Sequence, residues 1–215
     1  MERLFRYEVL RQKIKTIKSK SYDKTHVDFG DVLKAISYSK GISSGREEIE
    51  KAQREQKPAV DFDALFIPDT PARISMIIPQ LAYYNVRGVK LLGTNIWNSA
   101  DLLKTAGGYV EGAVFPDSFC LNTFYPEAND FIDIFYKHYG REPDVLAALV
   151  YDAARMILKI VEENDVESRE HFKKSLLKLK NYRGATGITS FSGKRDAHKN
   201  LFILTVKDGQ IIQIK

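Results

Sequence analysis

Between Asp63 and Phe115, short apolar runs alternate with stretches of helical spacing, and this alternation constrains the fold more than any other feature of the chain. DALFIPD, from Asp63, is an apolar run closed by Pro68 and Asp69, which reads as a strand that ends in a loop. Ile74, Ile77, Ile78, Leu81 and Ala82 then mark one helix face, Gly88 stops the helix, and 89–92 reads as the next strand. A short helix over Ser99–Thr105 leads through Gly107 and Gly108 into a strand, YVEGAVF, that begins near Tyr109. Parallel neighbours cannot be joined by a tight turn, so strands separated by helices predict a parallel sheet with crossover helices.

The rest of the chain extends this pattern and then departs from it. Leu4, Phe5, Val9 and Leu10 give residues 2–13 an amphipathic helical face, and 14–22 reads as a lysine-rich edge strand. Asp28, ahead of Phe29, Val32, Leu33 and Ile36, predicts a capped helix, whereas 41–60 is polar all round and reads as a linker or a frayed surface helix, with 41–59 expected to be mobile or to protrude. Helices over 129–139, 145–163 and 168–180 follow in succession, with no strand between 118 and 182 to cover them. Their apolar faces (Phe131, Ile134 and Phe135; Leu149, Ala153, Met156, Ile157 and Ile160) need a partner that the visible strands do not supply. ITSFS, NLFILTV and IIQI are strands, the last two joined by Asp208-Gly209, a strong hairpin signal. The fold class expected is α/β, a three-layer parallel sheet with flanking helices and a terminal hairpin.

Composition excludes several classes. The 215 residues are 44% apolar and 28% charged, ordinary for a packed domain and too apolar for a disordered chain. Residues 1–24 hold eight basic against three acidic side chains, which accounts for the whole net charge of +5. That charge punctuates one helix and one strand rather than a recognition surface, so no nucleic-acid partner is expected. Cys120 is the only cysteine, so no internal disulfide can form and no C-x-x-C site exists. Nucleophile-elbow, zinc-protease and phosphate-loop motifs are all absent, the histidines are scattered, and Glu167 with His171 lacks a third ligand. The expectation is a protein that is not an enzyme and carries no cofactor and no metal.

What remains is a set of loop residues at the carboxyl ends of strands, where open α/β sheets bind ligands. Tyr22 follows the lysine-rich strand, Asp69 and Thr70 follow DALFIP, and Thr94, Asn95 and Trp97 follow VKLL. Glu111 is expected just inside the strand from Tyr109. Singly, Asp69 and Asn95 are explained as helix caps, Trp97 as core and Glu111 as a surface charge. Their convergence on one end of a sheet is what raises a binding site.

These residues resemble a family. DFDALFIPDTPARISMIIPQLAYYNVRGVKLLGTNIWNSADLL with GGYVEGAVFPDSF is similar to the second lobe of type I periplasmic binding proteins. Branched-chain amino acid receptors of ABC transporters, and their diverged lipoprotein cousins, are the nearest in pattern. LVYDAARMI resembles the family's "YDA" helix, and GATGITSFSGKRD with NLFILTVKDGQ its terminal run and hairpin. The resemblance implies a two-lobed clamp closing over a small, amino acid-like ligand, with most of the first lobe absent here.

It implies that 1–117 and 190–215 form the second ligand-binding lobe, that 118–189 packs on the first, and that 41–59 is an insert. It also implies a periplasmic or lipid-anchored location and a membrane permease as partner. On this view Tyr22 lines the pocket, Asp69 and Thr70 stand where those receptors carry a tyrosine, and Glu111 of the Glu-Gly pair receives the ligand's ammonium. A second reading, from the lipoprotein branch, is a protein-interaction module that engages a cell-wall (peptidoglycan) synthase. Self-association through 126–139 and 145–162 is expected if their apolar faces lack a first lobe.

Overall fold

The computed structural model describes residues 2–14, 18–36, 60, 62–84, 86–191, 193 and 196–214. The polar insert expected at 41–59 lies outside the described residues. The chain divides into two compact units, Met1–Ala113 and Val114–Lys215.

In the first unit, β1 (Ala64–Phe66) and β2 (Lys90–Leu92) pair in parallel, Ala64 opposite Lys90 and Phe66 opposite Leu92. The crossover between them is the helix numbered α3 here (Pro71–Tyr83), preceded in the chain by α1 (Glu2–Arg11) and α2 (Gly30–Ile36). Pro71 at its first position costs no hydrogen bond and sets φ for the first turn. Ile74, Ile77, Ile78 and Leu81 of α3 are all buried, the i, i+3, i+4, i+7 stripe read from the sequence. The α1 helix lays Phe5 on Phe66 of β1, ring centroids 4.2 Å apart. Ahead of α2, the Asp28 carboxylate accepts from the Gly30 amide at 2.9 Å, and Phe29, Val32, Leu33 and Ile36 are buried. A further helix, α4 (Ala100–Ala106), begins at Ser99, whose hydroxyl accepts from the Leu102 amide.

Two sequence expectations fail in this unit. Ile14 and residues 18–22 are not in a strand. Lys13, at φ +62°, ends α1 in a left-handed turn. Lysines interrupt the apolar alternation after it, and Tyr22 is drawn instead to the loop after β1. The strand expected from Tyr109 is a 3-10 turn over Gly107–Val110 followed by a turn at Glu111 and Gly112. Gly107 and Gly112 sit at φ +53° and +73°, values that break an extended run. The strand itself, β3, starts at Val114.

In the second unit every strand pairing is antiparallel. β3 (Val114–Asp117) pairs with β7 (Phe202–Lys207), which pairs in turn with β8 (Gln210–Gln213). Asp208 and Gly209 turn that hairpin at φ +52° and +70°, the conformation a two-residue loop needs to match strand twist. A separate ribbon consists of β4 (Tyr182–Gly184), β5 (Gly187–Phe191) and β6 (Ala197–Lys199). Three helices precede it: α5 (Pro126–Tyr139), α6 (Val145–Asn164) and α7 (Arg169–Lys178). The parallel pairing expected of the sheet therefore holds at β1 and β2, and the terminal hairpin holds as read.

Asp152 of α6 ties this unit together. It is 1% exposed, and its carboxylate accepts from the amides of Ala185 (2.7 Å) and Thr186 (2.8 Å) and from the Thr186 hydroxyl. Lys199 donates to the same hydroxyl oxygen, and burial holds its ammonium below the usual lysine range. A Cβ on Gly184 would lie 2.5 Å from the Asp152 carboxylate, so only glycine allows the approach. Elsewhere α6 buries little: Ala148 and Ile160 are its other buried residues, while Leu146, Val150, Leu158 and Val161 are exposed. Ile134 and Tyr136 of α5 are exposed as well.

Asp152→Ala strands two buried amides and a hydroxyl, and is expected to lower the unfolding free energy by about 3 kcal/mol. Asp152→Asn, which keeps one acceptor, should cost less. Chemical denaturation of the two variants checks the order, and an equal or smaller loss for Asp152→Ala would show that the tie does not hold the unit.

Candidate functional site

The sequence-derived candidates all fall in the first unit, and most gather where β1 and β2 end. The Ile67 amide donates to the Leu92 carbonyl at 2.9 Å, which sets the loop 67–70 beside the loop 93–97. Trp97 closes that junction. It is fully buried, and its indole N–H donates to the Ile67 carbonyl at 3.0 Å. A Cβ on Gly93 would lie 2.3 Å from the ring, so Gly93 makes room for it. Trp97 is thus a packing residue that seats the two loops and presents no face to a ligand.

Thr94 is buried, and its hydroxyl has no hydrogen-bond partner among the described residues. A buried hydroxyl without a partner costs free energy that a ligand group can recover. Asn95 opens the short 3-10 turn beside it and is exposed, as is Thr70. Thr70 occupies the position before α3, yet its side chain makes no capping bond.

Asp69 is engaged on both oxygens. One accepts from the Thr70 amide at 2.7 Å, and the other accepts from the Tyr22 hydroxyl at 2.8 Å. Arg73, one turn into α3, places its Nε 3.7 Å from that second oxygen. Burial, then the bond to Asp69, pushes the Tyr22 phenol well above the usual tyrosine range.

The sequence did not single out Arg73 or Gln80, which organise this end. The Arg73 guanidinium donates to the carbonyls of Asp23 (3.0 Å), Lys24 (2.9 Å) and His26, and lies 5.3 Å from the Tyr22 ring centre and 5.2 Å from that of Phe29. The Gln80 amide accepts from the Phe29 amide and donates to the Val27 carbonyl. One polar edge of α3 therefore fastens the whole segment 22–29. The i, i+4 spacing of Asp69 and Arg73 was the only sign of it in the sequence.

Glu111 does not join the group. It sits in the turn after the 3-10 segment, exposed, at the rim of an open depression of about 360 Å³ lined also by Ile78, Leu81, Arg87 and Leu91. The neighbouring Gly112 carbonyl accepts from Lys90 at the first position of β2. Glu111 is thus at the amino end of β2, and Thr94 is at its carboxyl end. Among the described residues no group of three His, Cys, Asp or Glu side chains could hold a metal. Cys120 is buried, and burial pushes its thiol up to about 11, where it is no nucleophile at neutral pH.

Comparison with known proteins settles the family. The family model described as Periplasmic binding protein matches residues 25–210. The chain belongs to the periplasmic binding protein family. A putative branched-chain amino acid ABC transporter protein from Rhodospirillum rubrum has the same fold, with TM-score 0.71 and 24% identity over 88% of this chain and 49% of that one. A leucine-binding protein from Thermotoga maritima follows at TM-score 0.69 and 22% identity, over 99% and 55%. An ABC-transporter solute-binding protein from R. palustris, solved in complex with benzoate, matches at TM-score 0.63 and 17% identity, over 98% and 52%. This periplasmic binding protein chain spans about half the length of those structures. No curated protein matches it.

If Arg73 fastens 22–29, Arg73→Met should raise amide exchange across that segment about tenfold or more while α3 and β2 keep theirs. Arg73→Lys, which cannot reach several carbonyls at once, should sit close to Arg73→Met. Hydrogen exchange read by mass spectrometry decides it, and unchanged protection of 22–29 would refute the tether.

Proposed function

We propose that this chain is the second lobe of an extracytoplasmic solute receptor serving an ABC-type permease, and that a small molecule seats on the loops after β1 and β2. The observation that carries the reading is the buried, unpartnered Thr94 hydroxyl, set at the carboxyl end of a parallel pair in a chain of this family. Tyr22, Asp69, Thr70 and Asn95 surround the same loops, and the reading assigns them the ligand end of the lobe. Neighbours of the same fold include a leucine-binding protein and a solute-binding protein solved with benzoate, so small carboxylic acids are the class to test. The site calls for binding rather than turnover, since no group there is placed as a nucleophile with a base.

Residues 118–189 have the role of a face that meets the first lobe, in keeping with the exposed Leu146, Val150, Leu158 and Val161 of α6. Without that cover the same face supports association of the chain with itself.

The binding half of the proposal is tested by titrating the labelled chain with leucine and with benzoate at millimolar concentrations. Resonances of 67–70 and 93–95 should shift, with affinity weaker than micromolar because closure cannot bury the ligand. Shifts confined to 86–89 and 111, or none at all, would sink the reading. The surface half is tested by light scattering against concentration. A reversible dimer that Val150→Glu dissolves is expected, and a monomer throughout would refute it.

A further inference from the structure

The loops 67–70 and 93–98, which follow β1 and β2, contain a single carboxylate, Asp69. An ammonium entering a half-dry cleft loses hydration, and only a carboxylate with a free lone pair restores it well. Asp69 is already engaged on both oxygens. Its oxygens already accept from the Thr70 amide and the Tyr22 hydroxyl, and Arg73 lies against the second one. Arg73 is itself consumed, since its guanidinium nitrogens donate to three backbone carbonyls and its side chain is 15% exposed. The pair is therefore neutral as a unit, and a second cation beside it would meet Arg73 rather than a free anion. Glu111, the other acid at issue, stands at the far end of β2. Two buried groups near these loops stay unspent among the described residues: Thr94, a neutral hydroxyl able to donate to a carboxylate or carbonyl, and Nε2 of His26 in the fastened segment.

We infer that Arg73 sets the ligand preference of this lobe: by claiming Asp69 it withholds the acceptor an ammonium would need, so the solute taken here is a small organic acid recognised without a free amino group. This rests on the solute-binding reading above. It names Arg73 as a positioning residue that acts through Asp69, and it separates this lobe from one built for amino acids.

Leucine and 4-methylpentanoate differ only in the ammonium, so their affinity ratio isolates it. Both are titrated by NMR into the wild-type chain, into Arg73→Gln, which removes the positive charge, and into Arg73→Gln with Asp69→Asn. Wild type should bind the deaminated acid at least as tightly as leucine. Arg73→Gln should move the ratio toward leucine by about tenfold or more, and adding Asp69→Asn should reverse that shift. A wild-type preference for leucine of about tenfold that Asp69→Asn removes would overturn the inference, as would a ratio that Arg73→Gln leaves unmoved. If neither compound perturbs wild type, the solute-binding reading fails, and melting temperatures still decide the charge claim. Asp69→Asn and Arg73→Gln should each lower the midpoint, and the double variant should fall no further than the worse single. Additive losses would mean that Arg73 does not claim Asp69.

Discussion

A parallel pair of strands cannot be closed by a turn, and the chain's answer to that constraint organises its first unit. Between Phe66 and Lys90 the backbone must return the full length of the sheet, and α3 makes that return with Ile74, Ile77, Ile78 and Leu81 against the core. A helix so placed starts at the carboxyl end of β1. Its first turn therefore stands beside the loop that leaves the strand, and Arg73 belongs to that turn. The crossover supplies the sheet with a packing face and the carboxyl end of β1 with a cation in one element.

The consequences for charge follow from Arg73 being held by carbonyls as well as by Asp69. A guanidinium bound to three carbonyls fixes the backbone of 23–26, and through it the ring of Tyr22, whose hydroxyl returns to Asp69. The loop is a closed circuit of donors and acceptors rather than a row of side chains waiting for a solute. Trp97 closes the adjoining loop in the same manner, with its indole on Ile67 and its ring over Gly93. Among the described residues the buried groups left without a partner here are the Thr94 hydroxyl and Nε2 of His26.

Much of this was legible in the sequence. Periodicity gave α3, β1, β2 and the three later helices, because each carries its apolar residues at the spacing of its own element. Asp208-Gly209 gave the hairpin, because few residues other than glycine and its polar neighbours accept two successive positive φ values. Strand 14–22 failed because alternation alone was weighed, while the side-chain bond that captures Tyr22 lies 47 residues away. Glu111 was expected just inside a strand, but Gly107 and Gly112 delay that strand to Val114 and leave Glu111 in the turn before it. Arg73 showed only through its spacing from Asp69, because its other partners are backbone carbonyls, which carry no letter in the sequence.

The second unit applies the opposite economy. Its longest helix, α6, fully buries a carboxylate, Ala148 and Ile160, and it leaves Leu146, Val150, Leu158 and Val161 exposed. A helix packed mainly by apolar contact would do the reverse. Here orientation comes from Asp152, whose directional bonds to Ala185 and Thr186 fix both the rotation and the height of the helix on the ribbon. Gly184 and the left-handed Gly187 bracket those bonds and bring the backbone close enough to make them. With those bonds seating the helix, Ala148 and Tyr151 pack with Phe131 of α5, while Leu146, Val150, Leu158 and Val161 stay exposed along it.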